Sequence, residues 1–232
     1  MGIYLPLVVW ACLIAAGPLA ESGDSDMTEK KHVLLLGASV GGAWDLPGLP
    51  ERIGNRDYVF EYQHGGSCFD KSGKLSEILS RRERKPDFLF LKECAAYFPD
   101  DLSTQKNLMK RWIRECREAG VIPIPTTVVP VSRLHPLKKF LIDILKGRNP
   151  FRYGSPFRHR RNQSILAYND WIKQYSREKS LAVLDLEAAV RYSKENRFLR
   201  EDLAKIDGLH LNSKAYRLLD RIVIPTLEEG LR

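Results

Sequence analysis

Two short stretches at opposite ends of the chain hold the residue types that nucleophilic acyl chemistry needs. Near the start, His32-Val33-Leu34-Leu35-Leu36 runs directly into Gly37-Ala38-Ser39-Val40-Gly41-Gly42. An apolar run that ends in a small, glycine-flanked serine reads as a buried strand entering a tight turn. Gly37 and Ala38 leave no bulk beside the hydroxyl, and Gly41 and Gly42 let the backbone bend close to whatever covers it. Near the end stands Asp207-Gly208-Leu209-His210-Leu211-Asn212. A serine hydroxyl becomes a competent nucleophile when an imidazole takes its proton and a carboxylate fixes the tautomer of that imidazole. Asp207 and His210, three apart across Gly208, offer both groups from one loop, with Leu209 and Leu211 to anchor it. Either motif alone is an ordinary strand-end turn or helix-capping loop. Together, at the end of the first strand and just before the last helix, they make a pair.

The elements that must bring this pair together can be followed along the chain. After the first strand, Tyr58–Tyr62 reads as a second strand that ends in Gln63-His64-Gly65-Gly66. Residues 70–84 follow as a helix, with Leu75, Ile78 and Leu79 on one face and a basic tail. Phe88–Leu91 is a third strand, 102–119 an amphipathic helix around Leu108, Trp112, Ile113 and Cys116, and 121–129 a fourth strand. Pro123 and Pro125 predict irregular pairing there. Residues 162–179 return to helix, 182–186 give a fifth strand, and 213–227 a closing helix. Strand and helix alternating five times, with strands apolar on both faces, imply a parallel sheet covered on both sides. At 232 residues and 44% apolar composition the chain can bury one large core.

On Gly37-Ala38-Ser39 and Asp207–Asn212, the chain resembles the SGNH/GDSL hydrolases over residues 32–232. The resemblance implies a three-layer α/β/α fold on a five-stranded parallel sheet in flavodoxin-like order 2-1-3-4-5. It implies a serine ester hydrolase with catalytic Ser39, Asp207 and His210, and an oxyanion hole made by the backbone amides of Ser39 and Gly66. Two departures stand out. Ala38 occupies the place of the signature aspartate, so the block reads G-A-S and keeps its serine. The expected G-x-N-D after the third strand is absent, and Lys92-Glu93-Cys94-Ala95-Ala96 stands there instead. Lys92 as a cation, or Glu93 orienting a water or substrate hydroxyl, are the additional candidates; the plain alternative is that both face solvent at a strand end. An O-acyl group on a glycan or lipid is the expected substrate. The alternatives are a catalytically weakened binding protein on the same fold, or an O-acyltransferase using the same triad.

The remaining stretches set location and partners. Residues 3–20 are almost wholly apolar and lead to a polar run, which reads as a signal peptide over 1–20, a retained anchor being the alternative, and a linker over 21–31. The expected location is therefore secreted or periplasmic. Cys68, Cys94 and Cys116 then remain; Cys116 reads as core, and pairing of Cys68 with Cys94 is left open. No C-x-x-C occurs and the five histidines are dispersed, so neither a metal nor a cofactor is expected. The net charge of +8 concentrates in a basic excursion over 130–161, from Arg133 through Lys138, Lys139, Lys146 and Arg148 to Arg158, Arg160 and Arg161. It contains one short amphipathic helix around Leu137, Phe140, Leu141, Ile144 and Leu145. Leaving the carboxyl end of a strand, it reads as a rim for an anionic polymer or membrane surface, or as a solvated loop. Nucleic acid is not expected, since no recognised module is present.

Overall fold

The computed structural model describes residues 29–66, 70–95, 98, 101–149 and 159–232, with backbone alone for 159 and 160. The proposed signal and most of the linker, Cys68, Ala96 and the tip of the basic excursion, Arg158 included, lie outside the described residues. Among the described residues no helix is long and apolar enough to cross a membrane.

Four strands form one parallel sheet in the order β2-β1-β3-β4: β1 Lys31–Gly37, β2 Tyr58–His64, β3 Phe88–Leu91 and β4 Ile122–Pro125. The period-2 geometry of a strand sends neighbouring side chains to opposite faces, and β1 shows why its run is continuously apolar. Val33 and Leu35 enter one core with α8 (Ser213–Gly230), through Ala215, Leu219 and Val223. Leu34 and Leu36 enter a second core with α3 (Ser72–Leu79), α4 (Ser103–Glu118) and α6 (His159–Glu178), through Ile78, Trp112 and Ile165. Helices thus cover both faces, as the sequence predicts.

The sheet has four strands rather than the five expected. Along β4 the amides of Ile122 and Thr126 donate to β3 or its approach, at Asp87 O (2.9 Å) and Leu91 O (3.0 Å). The odd-numbered positions face the other edge, and there Pro123 and Pro125 have no N–H to give. Only the Thr127 amide reaches Leu184 O (3.1 Å), answered by Leu184 N to Pro125 O (3.1 Å). The expected fifth strand is therefore a single parallel bridge between Thr126 and Leu184. It ends at once because Asp185 caps helix α7 (Leu186–Val190), its side chain accepting from Ala188 N. The helix expected over 70–84 is shorter, closing at Leu79, and the basic residues beyond it lie outside the helix. Three further elements shape the site. Ser39–Gly42 is a one-turn helix, α1; Leu49–Ile53 is α2; and the excursion contains α5, His135–Leu145.

Candidate active site

Ser39 sits where β1 hands over to α1, at the carboxyl end of the strand second from the sheet edge. Parallel α/β sheets bind ligands at that end. The turn closes on itself, with Gly41 N donating to Ala38 O (2.8 Å) and Ala43 N to Ser39 O (3.0 Å). Ser39 N–H belongs to the first position of this turn, which a helix leaves without an internal acceptor. The side chain of Ser39 is exposed while Val40 and Gly41 are buried. Gly41 has to be glycine: a Cβ would lie 2.6 Å from Leu35 Cδ2 and 2.8 Å from Tyr62 Cε2.

The second motif arrives from the far end of the chain. Residues 204–211 form a narrow loop closed by an antiparallel bridge between Ala204 and Leu211, with Lys205 N on His210 O at 2.7 Å. Gly208 takes a left-handed φ of 69°, and a Cβ there would meet Pro136 Cδ at 2.6 Å. Immediately after the loop, Asn212 caps α8, its side chain accepting from Ala215 N and donating to Asp202 O. A buried tie joins the two motifs from below. Trp44, just past α1, donates its indole N–H to Asp220 of α8 at 2.8 Å, and Arg52 of α2 holds the same carboxylate at 2.9 Å. The helix that follows His210 is thereby fixed to the turn that follows Ser39.

Ser39, His210 and Asp207 lie in line. His210 Nε2 is 3.1 Å from Ser39 Oγ, and His210 Nδ1 is 2.6 Å from Asp207 Oδ2. The other carboxylate oxygen, Oδ1, accepts from the amides of Leu209 and His210, both at 2.9 Å. Burial alone would raise the Asp207 pKa. The hydrogen bonds from the His210 ring and from these two amides outweigh it and hold the carboxyl well below the usual carboxylate range. An ionised Asp207 can only accept, so Nδ1 carries the proton and Nε2 presents its lone pair to the Ser39 hydroxyl. Ala38, half-buried, stands before Ser39 in extended backbone without altering this geometry.

The remaining expected site residues take different positions. Gly66 follows β2 beside β1, with Gly65 N on Gly37 O at 2.7 Å, but the Gly66 amide donates to His64 Nδ1 at 3.0 Å. Lys92 and Glu93 do not face solvent; they are 2% and 1% exposed. Lys92 Nζ donates to Glu93 O at 2.9 Å, and its stem packs under Gly37. Burial pushes the Lys92 amine down to about 8, against the opposing pull of Cys94 and Glu93. Glu93 Oε2 pairs with Lys71 Nζ at 2.7 Å, both side chains almost fully buried, and the Lys71 ammonium also lies 5.2 Å from the centre of the Trp112 ring. The stem of Lys71 fills the space below Gly65, where a Cβ would meet its Cδ at 2.7 Å. The block that replaces the family's asparagine is thus a buried charge layer under the site. Cys94 is a free thiol, as is the buried Cys116. Reasoning from sequence missed His64, Lys71 and the Trp44–Asp220 tie. A histidine two residues before a glycine was the one visible sign of the first; nothing in the sequence pairs Lys71 with Glu93.

No protein-family model and no curated protein matches the chain. Solved structures do. The chain is similar to a GDSL-like lipase from Bacteroides thetaiotaomicron, at 14% identity and a TM-score of 0.60 over 86% of this chain and 89% of that one. It is similar to a psychrotrophic esterase from Pseudoalteromonas sp., at 14% identity and a TM-score of 0.56 over 87% and 99%. An acetyl xylan esterase matches at 14% identity and a TM-score of 0.57 over 84% and 99%. At these identities the likeness is one of fold: the chain has the fold of the SGNH/GDSL hydrolases.

Proposed function

We propose that the protein is a serine ester hydrolase with Ser39 as nucleophile, His210 as general base and acid, and Asp207 as the group that orients His210. In this reading Ser39 Oγ attacks the acyl carbonyl as its proton passes to His210 Nε2. Collapse of the tetrahedral intermediate breaks the bond to the alcohol, which leaves with that proton. Water, deprotonated by the same nitrogen, then attacks the acyl-enzyme, and the acid departs as Ser39 regains its hydrogen. The carbonyl oxygen, negative in both intermediates, needs hydrogen-bond donors, and the amides of Ser39 and Gly66 are assigned that task. Gly66 performs it once its amide leaves His64.

The observation that carries the reading is the division of the His210 ring, one nitrogen on an ionised carboxylate and the other on an exposed serine. The fold's esterase and lipase neighbours support the same reaction class. An O-acyl group of a glycan or lipid is the substrate class we assign, and the apolar residues 3–20 lead us to place the protein outside the cytoplasm or at its membrane. The test is covalent labelling of the folded protein by a fluorophosphonate, mapped by peptide mass spectrometry, beside turnover of aryl esters of short and long acyl chains. Labelling at Ser39 that disappears in His210→Ala is the expected result. A folded protein that neither labels nor turns over any ester from mild acid to mild alkali would point to a binding protein on this fold.

A further inference from the structure

Helix α5 is turned inside out. Pro136 and Asp143, two turns apart and so on one face, are its buried residues. The opposite side carries Leu137, Leu141, Ile144 and Leu145, continued by Leu134 before the first turn and flanked by Ile142. Their exposure runs from 38% to 85%, and they are six of the ten large apolar residues found exposed among the described residues. Concentrated apolar exposure of this kind marks a surface that meets something.

The charges around the patch narrow what that is. Arg133, Lys138, Lys146 and Arg148 are exposed at its margins, and the segment's only acid, Asp143, is buried against Lys139 at 2.5 Å. A second copy of the chain would bring two such cationic rims together, which opposes self-association. A soluble anionic polymer would satisfy the cations but offers no apolar phase to the leucines. A bilayer with anionic headgroups offers both.

The helix is also fixed to the site. Glu201 accepts from the amides of Arg133, Leu134 and His135, at 2.8–3.2 Å, at the root of α5. Ser132 N donates to Gly208 O at 2.9 Å, and Pro136 packs where a Gly208 side chain would stand, between Asp207 and His210 in the chain. We propose that α5 is an interfacial helix that lays its outer face into a bilayer containing anionic lipid, holding the loop of His210 at the lipid surface. The docking is independent of the ester chemistry; only its use for drawing substrate from the membrane rests on that reading.

The experiment is co-sedimentation of the full chain with vesicles of phosphatidylcholine, alone or with about one-third phosphatidylglycerol, near 0.1 M salt. Residues 3–20 are themselves apolar, so the readout is the difference between proteins. Leu141→Ser/Ile144→Ser/Leu145→Ser should lower partition into the mixed vesicles about tenfold or more while leaving Tm nearly unchanged, since the three residues are exposed. Lys138→Gln/Lys146→Gln/Arg148→Gln should remove the preference for anionic vesicles. Leu145→Trp should add an emission component that shifts to the blue on mixed vesicles. Equal partition of wild type and the triple serine variant would overturn the proposal. So would a dimer that the serine variant dissolves, or binding to dextran sulfate that exceeds vesicle binding and ignores the serine changes. Repeating the series on Ser39→Ala, where the same result is expected, separates failure of docking from failure of the esterase reading.

Discussion

Two serine–histidine–carboxylate clusters lie side by side in this molecule, and they are built for different work. In one, His210 uses Nδ1 for Asp207 and Nε2 for Ser39. In the other, His135 turns the same nitrogen, Nδ1, toward both Glu201 (2.7 Å) and Ser132 (3.4 Å). The second histidine therefore does not stand between acid and serine. Ser132 gives its own hydroxyl to Glu201 at 2.7 Å, and it is 2% exposed, out of reach of a substrate. Burial would raise the Glu201 pKa, but the Leu134 amide, the Ser132 hydroxyl, His135 and the Arg133 amide together lower it. The same residue types thus take the geometry that the proposed relay needs in one place and form a clamp in the other. What separates them is which ring nitrogen faces which partner, and whether the serine reaches solvent.

The widest expected gap is in turnover. Ser39→Ala should lower kcat on an aryl ester on the order of a millionfold, whereas Ser132→Ala should leave kcat within about threefold. Comparable losses from both would break the distinction. The acids should divide next. Asp207→Asn keeps the shape but lets the ring take the wrong tautomer, and kcat should fall about ten-thousandfold, a loss far larger than any it causes in stability. Glu201→Gln should do the reverse, costing about 1–3 kcal/mol of stability while the rate changes little. For a domain of this size that is about 2–4 °C in Tm for each kcal/mol.

Acid unfolding sharpens the comparison without an activity assay. Both carboxyls have folded pKa values below their ordinary ones, 3.8 for Asp207 and 4.5 for Glu201. Each therefore contributes stability that is present above its ordinary value and lost as pH falls through the depressed one. Glu201→Gln should be less stable than wild type near neutrality and lose less on acidification, so that denaturant midpoints of the two proteins draw together as pH falls below the ordinary value of 4.5. Parallel curves would show that the clamp carries no charge. Asp207→Asn should flatten its acid limb in the same sense, by an amount that solvent screening of a side chain about one-third exposed reduces.

The smallest expected effect concerns His64, which occupies the amide assigned to the oxyanion. His64→Ala removes the competing acceptor, and kcat should rise about two- to tenfold, within the reach of one hydrogen bond. A fall in kcat would mean that His64 holds the turn in its working shape.

The order of the first four strands came with the resemblance to the SGNH/GDSL hydrolases, whereas the sequence by itself determined the two candidate motifs and the apolar strands of a sheet covered on both faces. These are local: a run such as Val33–Leu36 is apolar on both faces because both are buried, and Asp207 reaches His210 across three residues whatever the rest of the chain does. Tertiary structure decided everything that depends on what meets an element from outside. The fifth strand shrank to one bridge because Pro123 and Pro125 happen to face that edge of β4. Lys92 and Glu93 went inward because Lys71, from another element, was there to neutralise Glu93. The leucines of α5 went outward because Pro136 and Asp143 took its inner face. Periodicity reveals that a helix has an apolar side, but only its neighbours determine whether that side is turned to the core or left to meet a surface.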